Sequence, residues 1–264
     1  MQYSNGYIFG FAALICVVCG IVVAGSAVSL KEKQDENAVL DRQTKVLAVV
    51  GLIEEDKATP EKVKELFSKR IKPLVVELKS GKVATDIDAA TFDQGKEAKD
   101  PAVSFDAPAG NKAKVQRLPK HGLVYQVVSE SGAVERLVLP VEGKGLWSTL
   151  YGYLAVESDG DTIAGLTFYQ HGETPGLGGE IDNPRWKALW PGRKIHNAKG
   201  AVSIAVTKGA AGSKDEAPNK VDGLSGATLT SNGVTYLLQF WTGEDGFGPY
   251  LQTLHGGKAA GQGA

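Results

Sequence analysis

The sequence predicts an α+β protein: a single N-terminal transmembrane helix, then a soluble domain whose strand-rich core is flanked by helices. Three observations lead there. Met1 to Leu30 contains no Asp, Glu, Lys or Arg, and from Tyr7 onward it is almost continuously apolar or small. Four runs of branched and aromatic residues follow one another between 123 and 169, separated by turn residues. Helical spacing of apolar residues appears both before and after that block, the arrangement of an α+β domain.

The N-terminal run exceeds the roughly 20 apolar residues that a helix needs to cross the hydrocarbon core. Tyr3 and Tyr7 sit where an interfacial aromatic belt is expected, and Gly6, Gly10, Gly20 and Gly25 allow another helix to approach closely. A cleaved signal peptide would start with basic residues and carry a shorter apolar core, so an uncleaved anchor is expected. Cys16 and Cys19 are the only cysteines. Their C-x-x-C spacing fits a redox pair or two small apolar residues of a membrane helix, and the segment offers too few further ligands for a metal.

Beyond the anchor, Lys31 to Arg42 is polar and continues the helix, and Val46, Val49, Val50 and Ile53 mark an amphipathic helix. Thr59-Pro60-Glu61 opens a second one, with Thr59 as N-cap and Pro60 in the first turn, and Pro73 ends it. Pro73 to Leu78 reads as a strand, and 91–117 as a surface loop rich in Asp, Ala, Gly, Lys and Pro. Strands are expected at Leu123 to Val128, Val134 to Val141, Leu150 to Val156, Thr162 to Tyr169 and Ala201 to Thr207. A hairpin turn at Asp159-Gly160 calls for positive φ at both residues. Pro184 to Trp190 reads as a short helix, and Val234, Leu237, Leu238 and Trp241 form the buried stripe of the last one.

The 264 residues are 42% hydrophobic and 22% charged with a net charge of −1, so nothing electrostatic points to nucleic acid as a partner. The soluble part has no cysteine, which removes disulfides and thiolate metal sites from it. His171 and His196 lack clustered partners, and no metal site is expected.

The chemistry concentrates in Asp222-Gly223-Leu224-Ser225-Gly226-Ala227-Thr228-Leu229-Thr230-Ser231, a loop at the start of the last helix. Backbone N–H groups and the dipole of a helix N-terminus favour an anion such as phosphate. Gly223 and Gly226 permit a tight turn and close approach to a ligand, and Thr230 and Ser231 are available as caps. On physical grounds alone this is either a phosphate-friendly turn or an ordinary hydroxyl-rich helix cap.

The string Asp222-Gly223-x-Ser225-Gly226-Ala227-Thr228 resembles the flavinylation motif of proteins that receive FMN from FAD through a periplasmic flavin transferase. Together with the N-terminal helix, Lys144-Gly145-Leu146-Trp147-Ser148 and His171-Gly172-Glu173-Thr174-Pro175-Gly176-Leu177-Gly178-Gly179, it resembles the C subunits of the Na⁺-translocating NADH:quinone oxidoreductases over nearly the whole chain. The resemblance implies FMN bound covalently through a phosphoester to Thr228, with Ser225, Gly226 and Ala227 beside it. Asp222 and Gly223 belong to what the transferase recognises. It also implies that the Glu173–Gly179 loop lies against the flavin: Leu177 and Gly178 as an apolar wall, Glu173 and Thr174 as polar contacts. Trp147 stands either on the flavin or in the core.

The same resemblance implies an electron-relay role between NADH and ubiquinone, the other subunits of a membrane-embedded sodium-pumping complex as partners, and membrane lipid around the anchor. The G subunit of the related Rnf ferredoxin:NAD oxidoreductase shares the motif and is the alternative, and a non-catalytic membrane-tethered assembly protein is a third reading. No strand–GxGxxG–helix fingerprint for NADH is present. The expected organisation is 1–30 anchor, 31–90 juxtamembrane helices and first strand, 91–117 surface loop, 118–256 FMN-binding domain and 257–264 flexible tail. Lys31, Lys33, Arg42 and Lys45 after the helix would hold the soluble domain in the cytoplasm by charge count. Flavinylation implies the opposite: a single-pass protein of the bacterial inner membrane with its domain in the periplasm.

Overall fold

The computed structural model describes residues 4–260; Tyr3 of the expected aromatic belt and 261–264 of the expected tail lie outside the described residues. The chain divides into two units, 1–42 and 43–264.

The first unit is helical. Helix α1, Asn5–Val49, runs for 45 residues, or about 68 Å at 1.5 Å per residue. Its first part is long and apolar enough to cross a membrane, with mean hydropathy 2.7 over its most apolar window and none of that window buried. Ile8, Phe9, Leu14, Ile21, Val22, Val23 and Val28 all stand exposed, a pattern that water does not tolerate in series and lipid does. Among the described residues this one candidate span fits a single-pass membrane protein.

In the second unit the amphipathic stretch expected through Ile53 stops early. Gly51 takes φ +73, its N–H reaches Ala48 O (2.9 Å), and Leu52 N–H reaches Leu47 O (3.0 Å). These two bonds form a Schellman cap, so α1 ends on glycine. Helix α2, Pro60–Arg70, starts as expected, with Thr59 Oγ1 accepting from Lys62 N. Pro73 does not end it. The helix closes at Arg70, and Pro73 lies inside strand β1, Ile71–Glu77. The strand tolerates a missing N–H there because it is an edge of the sheet.

The segment 91–117 is more ordered than a loop. Helix α3, Gln94–Lys99, and a ribbon of β2, Ser104–Asp106, with β3, Arg117–Pro119, are held by polar ties. Gln94 accepts from Leu123 N, and Glu97 meets His121 Nδ1 at 2.7 Å. A short backbone ribbon and side-chain ties, not an apolar stripe, organise the segment, which is why apolar periodicity does not reveal it.

The strand block folds as a meander: β4, His121–Val128; β5, Val134–Lys144; β6, Thr149–Glu157; and β7, Ile163–Gln170. With β1 they form one antiparallel sheet in the order β1-β4-β5-β6-β7. The β6–β7 turn departs from the expected form, since only Gly160 has positive φ. Asp159 instead accepts from Asp161 N and Thr162 N with its side chain, stabilising a wider turn. Helix α4 is only Pro184–Lys187, and of 201–207 only Ala205–Val206 forms a strand (β8), parallel to Lys220–Val221 (β9), while Val202 makes a single bridge to His196.

Helix α5, Thr228–Trp241, lies on one face of the sheet. Val234, Leu237, Leu238 and Trp241 are buried with Leu137, Leu139, Val141, Leu150, Leu154 and Phe168, and helix α6, Gly248–Ala260, adds Tyr250 and Leu251. The opposite face carries a row of aromatic rings, Phe67–Tyr125–Tyr153–Tyr169, at centroid spacings of 5.9, 6.2 and 4.9 Å. The end of α1 packs here, so closely that a Cβ on Gly165 would overlap Val49 O.

Two glycines fix how near α5 comes to β5. A Cβ on Gly143 would lie 2.8 Å from Leu237 Cβ, and one on Gly233 would lie 2.5 Å from Lys144 O. Helix backbone thus rests almost directly on the end of β5. Gly233→Ala is expected to force the helix outward and to destabilise the domain by about 1–3 kcal/mol. At about 2–4 °C per kcal/mol for a domain of this size, thermal unfolding of the full chain in detergent reads this as a drop of several degrees.

Candidate flavin site

The close seating of α5 brings its first turn beside the turn that joins β5 to β6. That turn, Gly145-Leu146-Trp147-Ser148, is closed by Gly145 N–H to Ser148 O (2.8 Å), and Lys144 Nζ donates to Trp147 O (3.2 Å). It points Leu146 and Trp147 outward, 41% and 67% exposed. Trp147 is therefore a surface residue, not a core one.

Beside it lies the loop that follows β7. Leu177 N–H and Gly179 N–H both reach Thr174 O (3.1 and 2.9 Å), and Gly176 takes φ +76. Proline second and a left-handed glycine third make Thr174-Pro175-Gly176-Leu177 a type II turn. Thr174 is exposed, Leu177 is 45% exposed and Gly178 is buried. His171 Nδ1 accepts from Glu173 N, and His171 Nε2 sits 2.7 Å from Asp182 Oδ2. His196 is elsewhere, against Asp161.

The third segment is the hydroxyl-rich motif. Ala227 N–H reaches Leu224 O (3.1 Å) across Ser225 and Gly226, and Gly226 takes φ +70. A Cβ there would lie 3.1 Å from Leu177 Cδ2, which places the two glycine turns side by side. Helix α5 then begins at Thr228 with no side-chain cap on Ala227. Thr230 and Ser231, expected as caps, are instead buried inside the first turn. Ser231 Oγ accepts from Leu224 N (3.2 Å) and Thr230 Oγ1 donates to Glu173 Oε2 (2.5 Å). Uncapped N–H groups and the positive end of the helix dipole are left at an exposed Thr228.

Asp222 and Gly223 face away from that opening. Asp222 Oδ1 accepts from Ala211 N (2.7 Å), Asp222 O accepts from Trp186 Nε1 (2.9 Å), and Gly223 N–H reaches Gly209 O (2.9 Å). A Cβ on Gly223 would overlap Thr207 O. This pair anchors the motif to the 207–211 segment.

Glu173 sits at the centre, 5% exposed. Its Oε1 accepts from Trp147 N (2.9 Å) and Ser148 N (3.3 Å), and its Oε2 from Leu146 N (3.2 Å) and from Thr230 Oγ1. Burial pushes this carboxyl up, but the Thr230 hydroxyl and the three backbone N–H groups outweigh it and hold it below its ordinary value of 4.5. Thr230, Ser148 and the exposed Leu229 are site residues that the sequence shows only as members of longer motifs, without a role at the flavin. Thr230 reads there only as a cap.

An exposed hydroxyl on an uncapped helix N-terminus suits a phosphate, and the exposed Leu146, Trp147, Leu177 and Leu229 suit a planar apolar ring. Fold and site together are those of an FMN-binding domain that follows a candidate membrane helix. Residues 145–243 match the family described as FMN-binding domain. The C subunit of the Na(+)-translocating NADH-quinone reductase of Pseudomonas aeruginosa is 48% identical over 250 residues, 94% of this chain and 95% of that protein. Its counterpart from Yersinia pestis is 44% identical over 92% of this chain and 91% of its own. The crystal structure of Shewanella oneidensis NqrC superposes with a TM-score of 0.73 at 36% identity, covering 81% of this chain and 96% of that one. The chain belongs to the family of C subunits of the Na⁺-translocating NADH-quinone reductases, which decides against the Rnf alternative.

The depressed Glu173 carboxyl has a signed consequence. A group whose folded-state pKa lies below its unfolded one contributes stability above the unfolded value and loses it as pH falls through the folded one. The difference in melting temperature between the native chain and Glu173→Gln is expected to be constant from pH 6 to 8 and to shrink steadily below about 4.5. A set of melts from pH 8 downward checks it.

Proposed function

We propose that this chain is an electron-relay subunit of a Na⁺-translocating NADH:quinone oxidoreductase, with FMN esterified through its phosphate to Thr228. The observation that carries this reading is the placement of Thr228: solvent-exposed, first in α5, on a helix start that no side chain caps. Attachment would proceed from FAD. Thr228 Oγ attacks the FMN-side phosphorus and loses its proton. The bond to AMP breaks, and AMP leaves. The uncapped N–H groups of the first turn favour the phosphate that remains. A flavin transferase would supply the catalytic groups for that step.

The bound FMN supplies reversible electron transfer. The chain's own residues hold and screen the ring. Leu177 and Gly178, with Trp147 and Leu146 across from them, form the apolar surroundings, and Thr174 is the exposed polar group on the loop. Ser225, Gly226 and Ala227 bring the backbone close to the phosphate. Esterification leaves the ring chemically free and prevents its loss during turnover, so the protein has only to orient it and tune its potential. The exposed apolar rim suits contact with other subunits of the complex.

In this reading α1 crosses the bacterial inner membrane, in contact with lipid, and the soluble domain stands in the periplasm, where the transferase acts. The relatives' names support the complex and its quinone and sodium chemistry. Organisation into an anchor at 1–30, juxtamembrane elements at 31–90 and a flavin domain at 118–256 goes with it.

Co-expression with a flavin transferase is expected to raise the intact mass by FMN less one water, and Thr228→Ala to abolish the increment. Thr228→Ser is expected to keep it. An unmodified native chain would favour the assembly-protein reading. Orientation has its own test: in a Cys16→Ser, Cys19→Ser background, Ala109→Cys should react with a membrane-impermeant maleimide once the outer membrane alone is opened. Reaction only after the inner membrane is permeabilised would reverse the assignment.

A further inference from the structure

The geometry points to Glu173 as a positioning residue whose buried carboxylate, acting through Thr230, sets where Thr228 presents its hydroxyl. This rests on Thr228 being the flavin acceptor. The first argument is capacity. An ionised carboxylate accepts about four hydrogen bonds, two per oxygen, and donates none. Glu173 Oε1 takes the N–H groups of Trp147 and Ser148, and Oε2 takes the N–H of Leu146 and the hydroxyl of Thr230. All of that capacity is spent inside the protein, so the expected role as a polar contact to the ring has no acceptor left to serve it.

The second argument is room. A Cβ on Gly145 would lie 2.7 Å from Glu173 Oε1, and one on Gly178 would lie 2.7 Å from Oε2 and 2.5 Å from Thr230 Oγ1. Two glycines from different segments therefore wall the carboxylate, and any side chain in either place would displace it. The third argument is the hydroxyl itself. Thr230 is the third residue of α5, so the carbonyl four residues earlier, that of Gly226, lies outside the helix and offers no helical back-bond. Fully buried, its hydroxyl donates to Glu173, a partner from another segment.

The consequence for Thr228 follows from helix geometry. Residues two apart on an α-helix point about 200° from one another. Fixing Thr230 inward on Glu173 fixes Thr228 outward, on the exposed side of the first turn, two residues after the Gly226 turn. Ser148 Oγ, accepting from Gly172 N (2.6 Å), ties the β5–β6 turn to the loop as well, so the latch joins three segments to one another. The charge of Glu173 also lies at the first turn of α5, where the helix dipole favours it.

The test measures the initial rate of FMN incorporation into the full-length chain, with purified transferase and FAD, read by in-gel flavin fluorescence, beside thermal melts of each variant. Thr230→Ser keeps the hydroxyl and is expected to stay within about twofold of the native rate. Thr230→Val keeps the shape and loses the hydroxyl; it and Glu173→Gln are expected to slow incorporation on the order of tenfold to a hundredfold, the cost of a misplaced reacting group. The double variant is expected to be no slower than the slower single one, because both remove the same link. If Glu173→Gln does not fold, the serine–valine pair at 230 still decides. A Thr230→Val chain modified as fast as the native one overturns this inference alone. A native chain that takes no FMN overturns the reading of Thr228 and this one with it.

Discussion

The site depends on a charge held out of water. Glu173 is buried and ionised, and a carboxylate in that position is stable only because four donors surround it. Those donors come from the β5–β6 turn and from α5, while Glu173 itself belongs to the loop after β7. Three segments far apart in sequence thus share one electrostatic centre. Each is closed by its own turn hydrogen bond, and the carboxylate ties the three to one another.

The sheet makes that convergence achievable. Antiparallel pairing of β5 with β6 puts Gly145 to Ser148 at one end of the meander, and pairing of β6 with β7 returns the chain to the same end at His171. Gly143 and Gly233 let α5 sit close enough for its first turn to reach that end. The apolar stripe of α5 supplies the adhesion, and the glycines supply the distance. On the other face, aromatic rings and the capped end of α1 bury the sheet a second time, so the meander that carries the site is packed on both sides.

Much of this is legible in the residues, for identifiable reasons. The anchor shows as an uncharged run, the four meander strands as branched runs between turns, and α5 as Val234, Leu237, Leu238 and Trp241 on one stripe, because burial writes itself into periodicity. Thr59 and Pro60 mark the start of α2 by local chemistry. Elements held by side chains are not legible: Glu97 to His121 and Arg117 to Asp106 organise 91–117 through pairs that no period encodes. Pro73 misleads because its tolerance depends on β1 being an edge, a tertiary fact. At the site, Gly176 and Gly226 announce their turns. The roles of Glu173 and Thr230 are invisible until the chain folds, since 57 residues separate the partners of one hydrogen bond.

Capping chemistry explains why Thr230 and Ser231 mislead in the same way. Hydroxyls near a helix start normally satisfy its free N–H groups. Here both turn to other partners, and the first turn is left bare at Thr228. A bare helix start at an exposed threonine suits an anion, which is the basis for proposing the FMN phosphate there. The most direct measurement is a crystal structure of the flavinylated chain. The account predicts continuous density from Thr228 Oγ to the FMN phosphate, with Thr230 Oγ1 still on Glu173. Flavin held at another residue, or a Glu173 carboxylate turned from Thr230 to the ring, would contradict it.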